Sequence, residues 1–550
     1  MFVLQPLVAR DLVKAYGDRA VLTGVDVVAT PGQPLGLVGE NGVGKSTLLR
    51  LLAGVEAADA GEVRSPADVG YVAQELRFRA TATVAEVLTE ALAPLHAAVR
   101  RLESLAFHLD DPSCADDYAT TLSWAEHHGA WDADRRAKLA SARLGLESIE
   151  ADRRVAAMSG GERTRLALAA VVTRRPECVL VDEPTNHLDD QAIAFLEDFL
   201  VDLPGVVVAA SHDRVFLDRV CASIVDLDDS HFGVDGAGGN RFGGGFSTYL
   251  AHKQAARRRW DQAFLDQQAE LNELRAATRT TARQVAHNRA PRDNDKFIYH
   301  FKGANVQATI RRRVRNAEQR IAVIERELVP KPPAPLTFDQ PLTSCATSDG
   351  LVVFIRDLRV ERRVSLARLD LSAGQRLLVT GTNGSGKSTL LGVIRGRVTP
   401  DSGVVRVSAQ RVGLLEQDVR FARPELTARQ TYDAATDSPG QLSRTPLSPI
   451  PLGELGLLHS RDLDRPVGVL SVGQQRRLAL TILVARRPDV LLLDEPTNHI
   501  SLALASELEE ALAHSMGTVI IASHDRWLRR NWTGETLPLT DQINGRSCGS

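Results

Sequence analysis

Short apolar runs bounded by glycines or by acids recur along this chain. PLGLVG (34–39) and RLLVTG (376–381) read as buried strands, and each leads into a helix-patterned segment, KSTLLRLLAG and KSTLLGVIRG. ECVLVDE (177–183) and DVLLLDE (489–495) read as apolar strands that end in two acids. Strands alternating with helices predict an α/β fold. Two regions break the alternation. Residues 84–109 and 116–139 carry helical patterning without strands between them. Further on, Val306, Ile310, Val314, Ala317, Ile321, Ile324 and Leu328 recur at intervals of four and three, a heptad stripe. Phe264, Leu271, Leu274, Thr278, Thr281 and Val285 form a weaker stripe before it. Paired antiparallel, two helices would bury both stripes. The first, near 247–286, would be about 60 Å long at 1.5 Å per residue. The prolines of VPKPPAP (329–335) end the second.

The strand–helix pattern is also a tandem repeat. GENGVGKST (39–47) returns as GTNGSGKST (381–389), VLVDEPTNH (179–187) as LLLDEPTNH (491–499), and ASHDR (210–214) as ASHDR (522–526). Both glycine loops match GxxxxGK[ST] between a strand and a helix, so their backbone N–H groups can close around phosphate oxygens. Gly39, Asn41, Gly42, Gly44, Lys45, Ser46 and Thr47 form one loop; Gly381, Asn383, Gly384, Gly386, Lys387, Ser388 and Thr389 form the other. Lys45 and Lys387 would contact the β- and γ-phosphates, and Ser46 and Ser388 would ligate Mg²⁺. Asp182 and Asp494, at strand ends beside these loops, would hold the same metal. Glu183 and Glu495 would orient and polarise the attacking water.

These motifs resemble the ATP-binding cassette (ABC) ATPases. MSGGE, with Ser159 and Gly161, and LSVGQ, with Ser471 and Gly473, resemble the ABC signature. Gln74 and Gln417 resemble the Q-loop glutamine, a further metal contact. His212 and His524 resemble the switch histidine, and Tyr16 the aromatic that stacks on adenine. The resemblance implies head-to-tail pairing of the cassettes, with each ATP between the P-loop of one copy and the signature of the other. The copies differ. No aromatic stands at the Tyr16 position in LRVERRV, Val472 replaces the first signature glycine, and Ser501 stands where Asp189 does in copy one. Unequal ATP sites are expected. The register offset falls from 343 at Gln74/Gln417 to 312 at Ser159/Ser471, so copy one holds about 31 extra residues there, read as an inserted helical arm.

Charge separates the middle of the chain from the rest. Residues 251–328 hold 17 Lys and Arg against nine Asp and Glu, a net of +8 in a chain of net −3. A basic rod on an acidic body points to a polyphosphate partner. The far end of the hairpin reads PRDNDKFIYHFKG. Arg289, Arg292, Lys296, Lys302, Arg311, Arg312, Arg313 and Arg315 would meet phosphates, and Phe297, Tyr299 and Phe301 would stack on bases. Five scattered cysteines with no CxxC pair argue against a disulfide framework or zinc site. No apolar run reaches the ~18–20 residues of a membrane span. A cytoplasmic protein with no membrane partner is expected.

The expected organisation is therefore an ABC ATPase domain over 1–245 with a helical arm at about 80–145, a helical hairpin over 246–330 with its tip at 287–307, and a second ABC ATPase domain over 331–550. Tandem cassettes, an arm and a charged hairpin linker resemble the ABC-F family. Within it, the long tip and RRRVRNAEQR look most like the antibiotic-resistance branch. That resemblance implies an ATP- and Mg²⁺-dependent monomer, its cassettes paired within the chain and needing no further subunit. It implies binding to the 70S ribosome, with the linker reaching from the tRNA exit site past the P-site tRNA toward the peptidyl-transferase centre. Macrolide- or lincosamide-type drugs would be dislodged there. A housekeeping ABC-F factor acting on stalled ribosomes shares every ATPase residue. The ATPase subunit of a drug exporter and a DNA-repair ATPase are further readings.

Overall fold

The computed structural model describes residues 4–17, 19–39, 42–73, 78–79, 81–186, 188–228, 241–285, 312, 314–332, 342–343, 350–382, 384–417, 419–436, 452, 458, 462–497 and 502–539. They divide into two compact units. One holds both cassettes; the other holds residues 248–333, the helical linker.

The first cassette runs β1 (Leu7–Tyr16), β2 (Arg19–Ala29), β3 (Leu35–Val38), α1 (Lys45–Leu52), β4 (Ala60–Arg64) and β5 (Val69–Val72). Three helices follow: α2 (Val84–Leu105), α3 (Pro112–His128) and α4 (Ala133–Arg143). Then come α5 (Gly160–Arg174), β6 (Cys178–Asp182), α6 (Asp190–Asp202), β7 (Val206–Ala210), α7 (Arg214–Val220), β8 (Ser223–Asp226) and β9 (Arg241–Gly243). The linker holds α8 (Phe246–Val285) and α9 over 314–326. The second cassette runs β10 (Leu351–Val360), β11 (Val364–Ser372), β12 (Arg376–Thr380), α10 (Lys387–Arg395), β13 (Ser402–Val407) and β14 (Val412–Leu415). It ends with α11 (Ala428–Thr436), α12 (Val472–Ala485), β15 (Val490–Asp494), α13 (Leu502–Ala513), β16 (Thr518–Ala522), α14 (Arg526–Asn531) and β17 (Glu535–Pro538).

Each cassette has a mostly or wholly parallel sheet, ordered β5-β6-β7-β3-β8-β9 in the first and β14-β15-β16-β12-β17 in the second. A three-stranded antiparallel sheet accompanies each, β2-β1-β4 and β11-β10-β13. Every residue of β6, β7, β15 and β16 is buried. Layers covering both faces explain why these strands are continuous apolar runs rather than alternating ones. Leu35 and Leu37 of β3 and Leu48 and Leu52 of α1 share a core with Leu7 and Leu12 of β1. That packing fixes the glycine loop between β3 and α1.

The region read as an arm is helical. Leu95, Ala98 and Leu102 of α2 pack with Ala125 of α3, Ala130 and Ala133 in a small core of their own. Thr83 caps α2 with a complete capping box to Glu86, worth about 1 kcal/mol.

Within the linker, α8 and α9 run antiparallel. Arg320 pairs with Glu270 and Arg275 with Glu325, and the Trp260 indole donates to the Pro330 carbonyl at 2.9 Å. Leu271 and Ile324 are buried between the helices. Leu328, placed by its spacing in the buried stripe, is half exposed, because the chain leaves the helix after 326. Among the described residues no helix is long and apolar enough to cross a membrane.

Candidate functional site

One cleft of about 1250 Å³ brings the repeated motifs together. Gly42, Gly44, Lys45, Ser46 and Thr47 line it, with Asp182, Glu183 and His212 from the first cassette. So do Gly384, Gly386, Lys387, Ser388, Thr389, Gln417, Glu495 and His524 from the second. Ser471 and Gly473 line it as well, in the same cleft as the first P-loop. Ser159 and Gly161 do not. Asn41, Asn383, Gln74 and Ser501 lie outside the described residues, as do the tip residues Arg289, Arg292, Lys296, Phe297, Tyr299, Phe301, Lys302, Arg311 and Arg313. Arg312 and Arg315 are exposed on the linker.

Both P-loop lysines are buried. Lys45 donates to the Gly39 carbonyl at 2.6 Å, and Lys387 to Gly381 and Thr382 at 2.9 and 3.1 Å. Burial holds the Lys45 ammonium below its ordinary value, against the pull of Glu183 and Asp228. Gly386 has φ +94, and a Cβ there would come within 2.2 Å of the Arg363 carbonyl, so only glycine closes this turn.

The acids sit where their strands end. The Ser46 hydroxyl donates to Asp182 and that of Ser388 to Asp494. Burial raises both aspartates. Asp494 keeps one buried oxygen, Oδ1, without a hydrogen-bond partner. A hydroxyl, a carboxylate and an unsatisfied buried oxygen make a hard-oxygen donor set suited to Mg²⁺. Glu183 and Glu495 follow with φ +49 and +48, a left-handed turn that directs them from the strand end to the switch loop. Glu183 accepts the His212 N–H at 3.1 Å, with His212 Nε2 3.5 Å from its other oxygen. Glu495 accepts the His524 N–H at 3.3 Å and holds His524 Nδ1 at 2.8 Å. That contact raises the His524 imidazole above its usual value. Burial pushes the Glu183 carboxyl up to about 8. The two sites therefore differ already in their glutamate–histidine geometry.

Both signature serines are N-caps. Ser159 and Ser471 start α5 and α12 with full capping boxes to Glu162 and Gln474, so each signature is a helix N-terminus with free N–H groups and positive partial charge.

Some residues of the site did not stand out in the sequence. Arg476 of α12, 2 % exposed, donates to the carbonyls of Gln417, Asp494 and Glu495, bracing the Q-loop position and the acid pair. Thr164 occupies its place in copy one, so the repeat gave no signal. Arg214 and Arg526 lie inside the repeated ASHDR, which drew attention only to its histidine. Each arginine crosses to the other cassette, Arg214 to Glu509 and Arg526 to Glu197 and Asp213.

Fold and site together define a tandem ATP-binding cassette ATPase. The ABC transporter family pattern matches residues 22–186 and 364–498. The chain is 40 % identical to the tylosin resistance ATP-binding protein TlrC of Streptomyces fradiae, over 96 % of each. It is 30 % identical to the energy-dependent translational throttle protein EttA of Mycobacterium tuberculosis, over 94 % of this chain and 88 % of that protein. A solved RNase-L inhibitor structure superposes with a TM-score of 0.52 at 18 % identity, over 94 % of this chain and 85 % of that one, a likeness of fold alone. The chain belongs to the ABC-F family, and it hydrolyses ATP.

Proposed function

We propose that this protein is a ribosome-protection factor: ATP binding clamps its cassettes, and the clamped form docks on the ribosome and releases a macrolide- or lincosamide-type drug. The observation that carries the reading is the match to a tylosin resistance protein along nearly the whole of both chains, hairpin included. The basic linker supports it, since rRNA is a polyanion and the exposed Arg312 and Arg315 are free to meet phosphates. In this reading residues 1–245 and 331–550 are the two cassettes. The hairpin over 246–330 reaches toward the peptidyl-transferase centre beside the P-site tRNA.

In the first site Lys45 and the P-loop backbone hold the phosphates, Glu183 aligns the water, and His212 senses the γ-phosphate. Ser471 and Gly473 close on the same nucleotide from the second cassette. Lys387, Glu495 and His524 do the same in the second site, with Ser159 and Gly161 opposite. Mg²⁺, when bound, would neutralise charge on the β- and γ-phosphates; Ser46 and Asp182, and Ser388 and Asp494, are the residues to hold it, with Gln74 and Gln417 as further contacts by resemblance to the Q-loop. The γ-phosphate joins two surfaces, and its loss parts them.

Purified protein with ATP, added to a macrolide-inhibited translation extract, should restore synthesis. Deleting 291–303 should abolish the recovery and leave ATPase activity intact. Resistance that appears only in whole cells, as lower intracellular drug, would replace protection with export.

A further inference from the structure

The second cassette has no aromatic at the Tyr16 position, and the backbone shows which residue takes its place. In the first cassette the Asp59 N–H donates to the Val13 carbonyl and Asp59 accepts the Ala15 N–H at 2.7 Å; the next residue is Tyr16. In the second, the Asp401 N–H donates to the Arg359 carbonyl and Asp401 accepts the Glu361 N–H at 2.6 Å; the next residue is Arg362. The strand pairing gives the same equivalence, with Val13 opposite Ala60 and Arg359 opposite Ser402. Arg362 and Arg363 line the nucleotide cleft, as Tyr16 and Val21 do. The first hairpin carries four more residues between its equivalent positions, which is why linear alignment misses the match.

The surroundings changed with the residue. The Tyr16 hydroxyl is held by both Glu56 oxygens, at 2.7 and 2.8 Å, and by Arg50 at 3.0 Å. In the segment after the second P-loop, Gly392 and Val398 stand at the positions of Arg50 and Glu56. The anchor for a phenol is gone. Arg362 sits at φ +56 in the tight turn of the β10–β11 hairpin, closed by the Arg363 N–H donating to the Val360 carbonyl. Among the described residues, neither the Arg362 nor the Arg363 guanidinium has a hydrogen-bond or ion-pair partner.

We propose that the second site reads its base with the Arg362 guanidinium and takes GTP at least as well as ATP. Tyr16 offers a π face whose hydroxyl is already occupied, so it stacks on a purine without reading its edge. A free guanidinium also stacks on a purine, but its paired donors match the O6 and N7 acceptors of guanine. Adenine presents an amino donor where guanine presents O6, and that repels the same fork. The proposal rests on residues 384–389 being a nucleotide site.

The test is a titration of the full chain with fluorescent N-methylanthraniloyl ATP and GTP. Lys45→Ala leaves the second site to bind, and Lys387→Ala leaves the first. The preference for GTP over ATP should be about tenfold greater at the second site than at the first. Arg362→Ala should erase that difference and leave first-site binding unchanged, which also reports correct folding. Arg362→Lys, which keeps the charge and loses the planar fork, should behave like Arg362→Ala; Arg362→Tyr should give the second site the first site's preference. Equal base preference at the two sites, or an Arg362→Ala protein with an unchanged ratio, overturns the proposal. Failure of both nucleotides to bind the second site overturns it together with the reading of that cassette as a nucleotide site.

Discussion

Arg214 of the first cassette directs both terminal guanidinium nitrogens at the carboxylate of Glu509 in the second, and only 2 % of the arginine side chain is exposed. The relation is repeated with the halves exchanged. Arg526 reaches Glu197, and an offset of 312 separates both the two arginines and the two glutamates. Each arginine stands two residues after a switch histidine. Asp213, between His212 and Arg214, caps α7 with one oxygen and receives Arg526 on the other, at 2.8 Å. The two switch loops are thereby tied across the pseudo-twofold axis.

Removing one partner of such a pair leaves a buried, uncompensated charge. Glu509→Ala should destabilise the paired cassettes by about 3–5 kcal/mol. Asp190→Ala, which frees the more exposed Arg529, should cost about 1 kcal/mol or less. Urea unfolding of the two variants, compared at the midpoint, checks the contrast.

The water-activating acids can be separated by substitution. Glu183→Gln and Glu495→Gln should each lower ATP turnover, by unequal factors, because His524 grips its glutamate at 2.8 Å while His212 stands at 3.5 Å. Together they should remove turnover by about a hundredfold or more and trap the ATP-bound clamp. Steady-state phosphate release measures the first effect, and co-sedimentation with ribosomes the second. Identical single-variant losses would contradict the asymmetry.

Arg476 should matter to one site only. Arg476→Ala leaves the carbonyls of Gln417, Asp494 and Glu495 without their donor and loosens the acid pair they carry. In a Glu183→Gln background, which isolates the second site, turnover should fall about tenfold or more. In a Glu495→Gln background it should fall little. Phosphate release in the two backgrounds gives the comparison.

Glu183 makes the nucleotide-free protein sensitive to pH. Its folded carboxyl titrates at about 8 through burial, whereas an unfolded glutamate titrates near ~4.3. The folded chain keeps a proton that the unfolded chain has released. The resulting stability is complete below the unfolded value and is lost as pH rises through about 8. Glu183→Gln stays neutral throughout. Its melting temperature, relative to the unsubstituted protein, should be higher at pH 8.5 than at pH 6 by about 2 °C or more. Differential scanning calorimetry without nucleotide tests this.

Sequence alone determined what local chemistry and repetition encode. The P-loops, the acid-ended strands and the signature motifs declare themselves because each function needs fixed residue types within one turn or one strand. The antiparallel linker was legible for the same reason, since a heptad stripe is a local periodicity. Tertiary structure alone decided relations between residues far apart in the chain. Arg214 and Glu509 are separated by 295 residues, and no local pattern marks an arginine as reaching across a pseudo-twofold axis. Arg362 was hidden by a difference in hairpin length, which shifts the linear register but leaves the backbone hydrogen bonds of Asp59 and Asp401 in place. Spacing can specify a motif, whereas the partner of a buried charge is chosen by whatever the fold brings within about 3 Å of it.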